Sequence, residues 1–441
     1  MAALPAPFKV IIIGSGLTGS LLANGLLREG IDVQVYERND INTKREGFQI
    51  RLTAPALAGM RACLSPEHHS SIIKKFGPAS GLKAEAPRVI HKDWTLLVDL
   101  SKFTVYGKSA PINRGVLRSA LADPIYDAGK LHYSRKFERY EIVADGTSEE
   151  RVNEQIGLDS IRPIKKHLAL AAKCELPTER FLKMSKELFG GPVMTWADNM
   201  SYFFGVYLPK KYDTNGNCLE VTKNTSYDEN LSSCMVGLNV AKEKAPADLA
   251  QRSLDEQWDF FADSIKHWSP HHQEVVEMVR GAPLHIYVPR VASRPAKNWR
   301  KSVATSSGDV NKGHPRVWLI GDAIHAMLPP RGMGGNQAMY DSGVVMAKMA
   351  HLAQIARSTK RVPRKEIEKA VIEYEEEMIP RAFEWVKKSG GDDFVPLDTS
   401  KFSGRLFFFA VAQVLRVSCT LQWIGQIFSS KPPVDETPEF N

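Results

Sequence analysis

Asp322 ends a short apolar run, Trp318-Leu319-Ile320-Gly321, and is followed by Pro329-Pro330 and then by Gly332, Gly334 and Gly335, where a helical pattern opens at Asn336. Those glycines strip side chains from a helix start. A bare helix start offers free N–H groups and the positive end of the dipole, so it attracts an anionic or electron-rich ligand. An Asp just after a strand is suited to accept hydrogen bonds from the hydroxyls of a ribityl or ribose linker. A second candidate lies near the other end of the chain. Residues 8–13 (FKVIII) read as a buried strand, Gly14-Ser15-Gly16-Leu17-Thr18-Gly19 as a GxGxxG turn, and SLLANGLLREG as a helix; the next apolar alternation ends in Glu37-Arg38. The glycines permit the tight turn and close approach to a pyrophosphate, and an acid at the end of the second strand suits an adenosine ribose.

Positioning these groups takes a βαβ unit at the N-terminus and a strand over residues 315–320 that delivers Asp322 to the same edge. Together the two motifs resemble the FAD-dependent aromatic hydroxylases, the single-component flavoprotein monooxygenases related to para-hydroxybenzoate and salicylate hydroxylases, and especially their fungal relatives. The family's C-terminal signature runs GD, two small residues, H, P, GxGxN and a helix ending in D. Gly321, Asp322, His325, Pro329, Gly332, Gly334, Asn336 and Asp341 fill it.

The resemblance implies an α/β fold: a Rossmann-like FAD-binding domain in two parts (1–160 and 289–360), an inserted β-sheet substrate domain (161–288) and C-terminal helices (361–441). It implies FAD as cofactor, held by Gly14, Gly16, Gly19, Glu37, Arg38, Arg114, Asp322, Gly334, Gly335 and Asn336. Pro330, Gly334 and Gly335 would stand at the reacting ring, while His325 fixes the loop. NADPH or NADH would reduce the flavin transiently, and oxygen from O2 would pass to an aromatic or related electron-rich small molecule by hydroxylation or epoxidation, in a setting such as secondary metabolism. The apolar segments MSYFFGVYLP and SSCMVGLNV would form a roof, with Trp196, Tyr202, Phe204 and Tyr207 as candidate pocket residues. Strand alternation puts Tyr202 and Phe204 on one face and Phe203 on the other.

One departure stands out. Family members carry a hairpin with one ADG and then a second DG signature ending in Arg, whereas residues 137–158 here read FERYEIVADGTSEERVNEQIGL, with one ADG only. The words look like the front of the hairpin fused to the tail of the signature. If a hairpin is missing, Asp145 belongs to a turn and the sheet beside the first βαβ unit lacks a strand; if the chain is a compact variant, Asp145 reaches the cofactor region. Two functions are therefore carried: an active monooxygenase, and an FAD-binding protein or non-oxygenating flavoenzyme with impaired hydroxylation.

Composition bounds the rest. The chain has 441 residues, 43% hydrophobic, and a net charge of +8 without an aromatic-interleaved basic stripe, which argues against nucleic acid as partner. Five widely spaced cysteines support neither a disulfide framework nor a zinc site, and no metal is expected. The paired histidines His68-His69 and His271-His272 follow Ser-Pro and read as solvated helix starts. The first strand begins within a few residues of Met1, which leaves no room for a secretory signal and gives a cytoplasmic expectation. Residues 405–429 form a long apolar stretch in which Gln413, Arg416 and Thr420 mark one polar stripe. A packed amphipathic helix is expected there, with peripheral membrane contact as the alternative and a span disfavoured by Arg416.

Overall fold

The structure, a computed structural model, describes residues 8–43, 49–76, 87–100, 110–140, 152–189, 191–207, 211–212, 218–219, 231–390 and 398–428. The N-terminal strand Lys9–Ile13 pairs in parallel with Asp32–Tyr36, which pairs in parallel with Leu131–His132. Helix Leu17–Arg28 connects the first two strands, and helix Arg114–Asp127 precedes the third. Parallel strands need such crossovers, and the buried Leu21, Leu22 and Leu26 pack the first helix into the core with Val33 and Val35. This core also takes in the long helix Met333–Thr359 and the helix Arg364–Lys388. Helix Ala54–Cys63 lies so close to the former that a Cβ on Gly59 would fall 2.0 Å from the Met339 carbonyl oxygen.

A second core lies under a seven-stranded sheet in the order Leu284–Tyr287, His167–Pro177, Leu231–Ala241, Met200–Tyr207, Val193–Ala197, Arg88–Ile90, Leu96–Asp99. Met200–Tyr207 of the segment MSYFFGVYLP and the whole of SSCMVGLNV are thus strands, directly paired with Ser201 opposite Asn239 and Phe203 opposite Gly237. Residues 88–99, within the first 160, complete this roof sheet. Helices Leu254–Ser264 and Pro270–Val279 cover one face of it, the former held by a reciprocal Ser253–Glu256 capping box.

Two expectations need correction, while that of a packed C-terminal helix agrees with the structure. Residues 315–320 form no strand. Among the described residues no ladder partner flanks them, and side chains take up their carbonyls: Arg300 Nη2 donates to Val317 O at 2.9 Å and Tyr374 Oη to Leu319 O at 3.1 Å. His272 is not solvated. Ser269 does cap its helix as expected, but the imidazole is fully buried among Trp94, Tyr202 and Trp268, with Nε2 3.1 Å from Thr195 Oγ1. Among the described residues the C-terminal helix Phe402–Phe428 packs on one side, through Phe408 and Ala412, against Val89, Val98 and Trp196. No helix among the described residues is long and apolar enough to cross a membrane.

The edge of Lys9–Ile13 away from Asp32–Tyr36 has no strand beside it among the described residues. The Gly14 N–H donates to Tyr36 O, so parallel alternation turns the N–H groups of Lys9, Ile11 and Ile13 toward that open edge. Ile11 is 48% and Ile13 39% exposed there. An open edge is what a missing strand would leave, but Asp145, on which the two alternatives turn, lies outside the described residues.

Candidate active site

A cavity of about 2930 Å³ lies between the two cores. Its lower wall includes Gly14, Gly16, Gly19, Arg114, Asp322, Gly334, Gly335 and Asn336; its upper wall includes Met194, Trp196, Ser201, Phe203, Met235 and Asn239. The sequence motifs from both ends of the chain therefore converge on one space.

The glycine turn is built for close approach. Gly14 adopts φ +95°, and a Cβ on Gly19 would stand 2.1 Å from the Gly14 carbonyl oxygen, so the turn cannot carry a side chain at 19 without moving. A Cβ on Gly16 would meet nothing within 4 Å. The space beside Gly16 is thus left open at the start of helix Leu17–Arg28, which has no side-chain cap to satisfy its first N–H groups. An open cradle on a bare helix start is what a pyrophosphate requires.

Glu37 is buried, and its carboxylate holds the turn. Oε2 accepts from the Ser15 N–H at 3.0 Å and the Ser15 hydroxyl at 3.1 Å, while Oε1 accepts from the Asn39 N–H at 3.0 Å and from Asn39 Nδ2. Those four bonds fill the acceptor sites of a carboxylate. Glu37 and the exposed Arg38 both lie outside the cavity lining. Arg114 opens its helix after Asn113, whose Oδ1 accepts from the Gly115 and Val116 N–H groups, and the Arg114 side chain is exposed along the cavity.

Asp322 is exposed to the cavity at the first position of the short helix Asp322–His325. A buried network fixes this turn. Asp341 Oδ2 accepts from the Gly321 N–H at 3.1 Å and lies 2.7 Å from His325 Nε2, while Oδ1 accepts from Arg381 Nη2 at 2.8 Å. Burial alone would raise the Asp341 carboxyl, yet His325 and Arg381 together hold it below its ordinary value. His325 is fully buried and outside the lining, so its part is structural.

Asn336 also works through its side chain. Its Oδ1 accepts from the Thr53 N–H at 2.7 Å and the Thr53 hydroxyl at 2.9 Å, and its Nδ2 donates to Arg51 O at 3.0 Å and Gly332 O at 2.9 Å. The helix start is thereby bolted to the strand Gln49–Leu52, which leaves the bare Gly334–Gly335 segment facing the cavity. Pro330 stands in the 3₁₀ turn Pro329–Arg331, whose two end residues line the same space.

Arg381 and Thr53 escaped sequence reasoning. The signal for Arg381 was present: a signature ending in a carboxylate at Asp341 needs a buried cation, and the last helices are where one could come from. On the roof, Phe203 and Trp196 line the cavity, as does Tyr202, although it is buried toward the covering helices; Phe204 faces away. Asn239 Nδ2 donates to Ser201 Oγ at 2.9 Å, a polar pair on a mostly apolar ceiling that Lys173 also lines.

Comparisons with known proteins agree with this layout. A sequence profile described as an FAD binding domain matches residues 269–363. The dual O-methyltransferase/FAD-dependent monooxygenase elcB of Phaeosphaeria nodorum is 24% identical over 77% of this chain, which spans 40% of that protein's length. The FAD-dependent monooxygenase DEP2 of Fusarium langsethiae is 22% identical over 88% of this chain and 72% of its own. In fold, the chain is similar to a putative FAD-containing monooxygenase from Photorhabdus luminescens (TM-score 0.65, 19% identity, 88% of this chain and 98% of that one). It is also similar to Klebsiella pneumoniae HpxO complexed with FAD and uric acid (TM-score 0.59, 17% identity, 95% of each chain). Fold and site thus have the two-core layout of these FAD-containing proteins. In these motifs and in fold the chain resembles the FAD-dependent, aromatic-hydroxylase-like family.

Proposed function

We propose that the chain is an FAD-dependent monooxygenase that uses NADPH or NADH and O2 to hydroxylate or epoxidise an aromatic or related electron-rich small molecule. The observation that carries this reading is the one cavity joining the bare glycine turn, Asp322 and the Gly334–Gly335 helix start to an apolar roof. FAD, when bound, supplies the redox chemistry and the activation of O2. The protein's residues bind and orient. Gly14, Gly16 and Gly19 would take the pyrophosphate, Arg114 and Asp322 the linker, and the backbone N–H groups of Gly334, Gly335 and Asn336 the electron-rich edge of the ring, with Pro330 beside it. Glu37 and Arg38 would serve the adenosine end, Glu37 by exchanging one of its present hydrogen bonds for a ribose hydroxyl.

Under the roof, Met194, Trp196, Phe203 and Met235 exclude water and offer flat apolar surface, while the Ser201–Asn239 pair can orient one polar substituent. That chemistry favours a planar, mostly apolar substrate. The test is oxygen consumption and NADPH or NADH oxidation by flavin-loaded protein over a panel of phenolic, indolic and polyketide rings. Coupled formation of an oxygenated product, weakened in Phe203→Ala, supports the proposal.

The open edge of Lys9–Ile13 favours a second reading, in which the chain binds FAD without productive hydroxylation. Oxidation of NADPH or NADH that ends wholly in hydrogen peroxide for every ring tested would favour it over the first.

A further inference from the structure

Seven of the seventeen exposed large hydrophobic side chains among the described residues sit on one element, the helix Phe402–Phe428. They cannot be dismissed as scattered surface residues. Leu406, Ala410, Val414, Val417 and Leu421 recur at i, i+4, i+8, i+11 and i+15, which places them on one face of a helix. All five are exposed, and Phe402 (79%), Phe407 (46%) and Phe409 (60%) flank them. The opposite face, with Gly404, Phe408 and Ala412, is buried against the roof sheet.

Charge says what covers the exposed face. The helix has no Asp or Glu over its 27 residues; Lys401, just before it, and Arg416, near its middle, are exposed cations, while the Arg405 guanidinium is turned to the inner side, Nε donating to Thr399 O at 3.0 Å and Nη2 standing 3.1 Å from His91 Nε2. Arg416 lies on a polar edge with Gln413 and Thr420: its Nη1 donates to Gln413 Oε1 at 3.5 Å, and Thr420 Oγ1 donates to Arg416 O at 2.9 Å. An apolar face bordered by a cationic, acid-free edge is complementary to an anionic lipid surface, where the side chains enter the acyl boundary and the guanidinium reaches the headgroups. A second copy is a poorer match. A two-fold contact through this face offers Arg416 no partner, since neither helix carries a carboxylate.

We propose that the outward face of Phe402–Phe428 lies in the plane of an anionic membrane surface and docks the protein there without spanning the bilayer. The same helix walls the cavity through Phe407, Phe408, Val411 and Leu415, so docking sets the cavity beside the lipid. The inference rests on the helix alone and stands whether or not the cavity holds a flavin.

The experiment is co-sedimentation of the full chain with phosphatidylcholine vesicles, with and without phosphatidylserine. The proposal expects binding at least about tenfold tighter when phosphatidylserine is present, from roughly a fivefold gain per basic residue near the surface, and loss of that gain in high salt. Leu406→Ser combined with Val414→Ser and Leu421→Ser should abolish binding with the thermal unfolding midpoint unchanged, since all three positions are exposed. Arg416→Glu, a second variant, should remove the phosphatidylserine preference. Wild-type protein that ignores phosphatidylserine vesicles overturns the proposal, as does equal binding to both vesicle types. So does a concentration-dependent dimer, seen by light scattering without lipid, that the triple serine variant disperses.

Discussion

His325 Nε2 and Asp341 Oδ2 meet at 2.7 Å with both side chains fully buried, and this contact ties the turn that carries Asp322 to the long helix behind it. The carboxylate is shared three ways, with the Gly321 N–H and Arg381 as its other donors. Asp341→Asn keeps the shape and removes the charge that Arg381 needs. Breaking a buried pair in this way costs about 3–5 kcal/mol, so the variant should unfold at markedly lower urea, together with Arg381→Met. Unchanged midpoints in both variants would refute a structural role for the network.

The same carboxylate predicts acid behaviour. Because its folded value lies below the ordinary 3.8, its contribution is complete above 3.8 and disappears as pH falls through the lower folded value. Loss of the Asp322 turn is thus confined to strongly acidic solution. Tryptophan fluorescence during acid titration should show Asp341→Asn lacking that last transition.

His272 titrates in a different window. Burial pushes its imidazole down from 6.5 to about 3, so the folded roof keeps it neutral while the unfolded chain protonates it. Its stabilising effect is full above 6.5 and is lost progressively as pH falls toward 3. The thermal unfolding midpoint should therefore fall between pH 7 and pH 4.5, and His272→Gln should flatten that decline while retaining a partner for Thr195. An equal slope in both proteins would assign the acid sensitivity elsewhere.

The open edge of Lys9–Ile13 makes a residue-level prediction. Amides of Val10 and Ile12 point to Asp32–Tyr36 and should resist hydrogen exchange, whereas those of Ile11 and Ile13 should exchange much faster. Unpaired edges also template association. Ile11→Lys should reduce aggregation without loss of the fold. Alternate protection that fails to appear, with all four amides equally slow, would mean that the edge is paired.

Much of the site was legible because it rests on short local signatures. GxGxxG between a strand and a helix, and GD followed by the proline–glycine turn, name backbone geometries that few other residues allow, and Gly14, Gly16, Gly19, Asp322, Gly334 and Gly335 duly face one cavity. The alternation in residues 200–207 likewise placed Phe203 opposite to Tyr202 and Phe204. What the sequence hid was partnership over distance. Glu37 looked like a ribose ligand, but nothing local reveals that Ser15 and Asn39 occupy its oxygens. Asn336 is expected to act through its backbone N–H, and nothing local reveals that its side chain reaches Thr53, 283 positions earlier. Residues 315–320 read as a strand from their apolar pattern, but a strand exists only with a neighbour to pair with.

Asp322 and Gly19 test the two ends of the cofactor cradle separately. Asp322→Ala removes an exposed acceptor and should weaken flavin retention by about 1.5–3 kcal/mol with little effect on folding. Gly19→Ala forces the 2.1 Å clash with Gly14 O and should damage folding and flavin uptake together. Flavin titration beside circular dichroism separates the two outcomes. Full retention in Asp322→Ala would remove that residue from the site.

Flavin stoichiometry in the wild type and in Gly16→Ala tests the central claim, that this cavity holds FAD. A Cβ at position 16 meets nothing within 4 Å, and the residue's φ of −69° suits alanine, so the variant should fold as the wild type does. Its methyl group would nevertheless occupy the space assigned to the pyrophosphate. The account predicts a yellow wild-type protein that releases about one FAD per chain on denaturation, and a folded Gly16→Ala protein that is nearly colourless. A wild type that remains colourless after incubation with FAD, or a Gly16→Ala protein that retains the full complement, would contradict it.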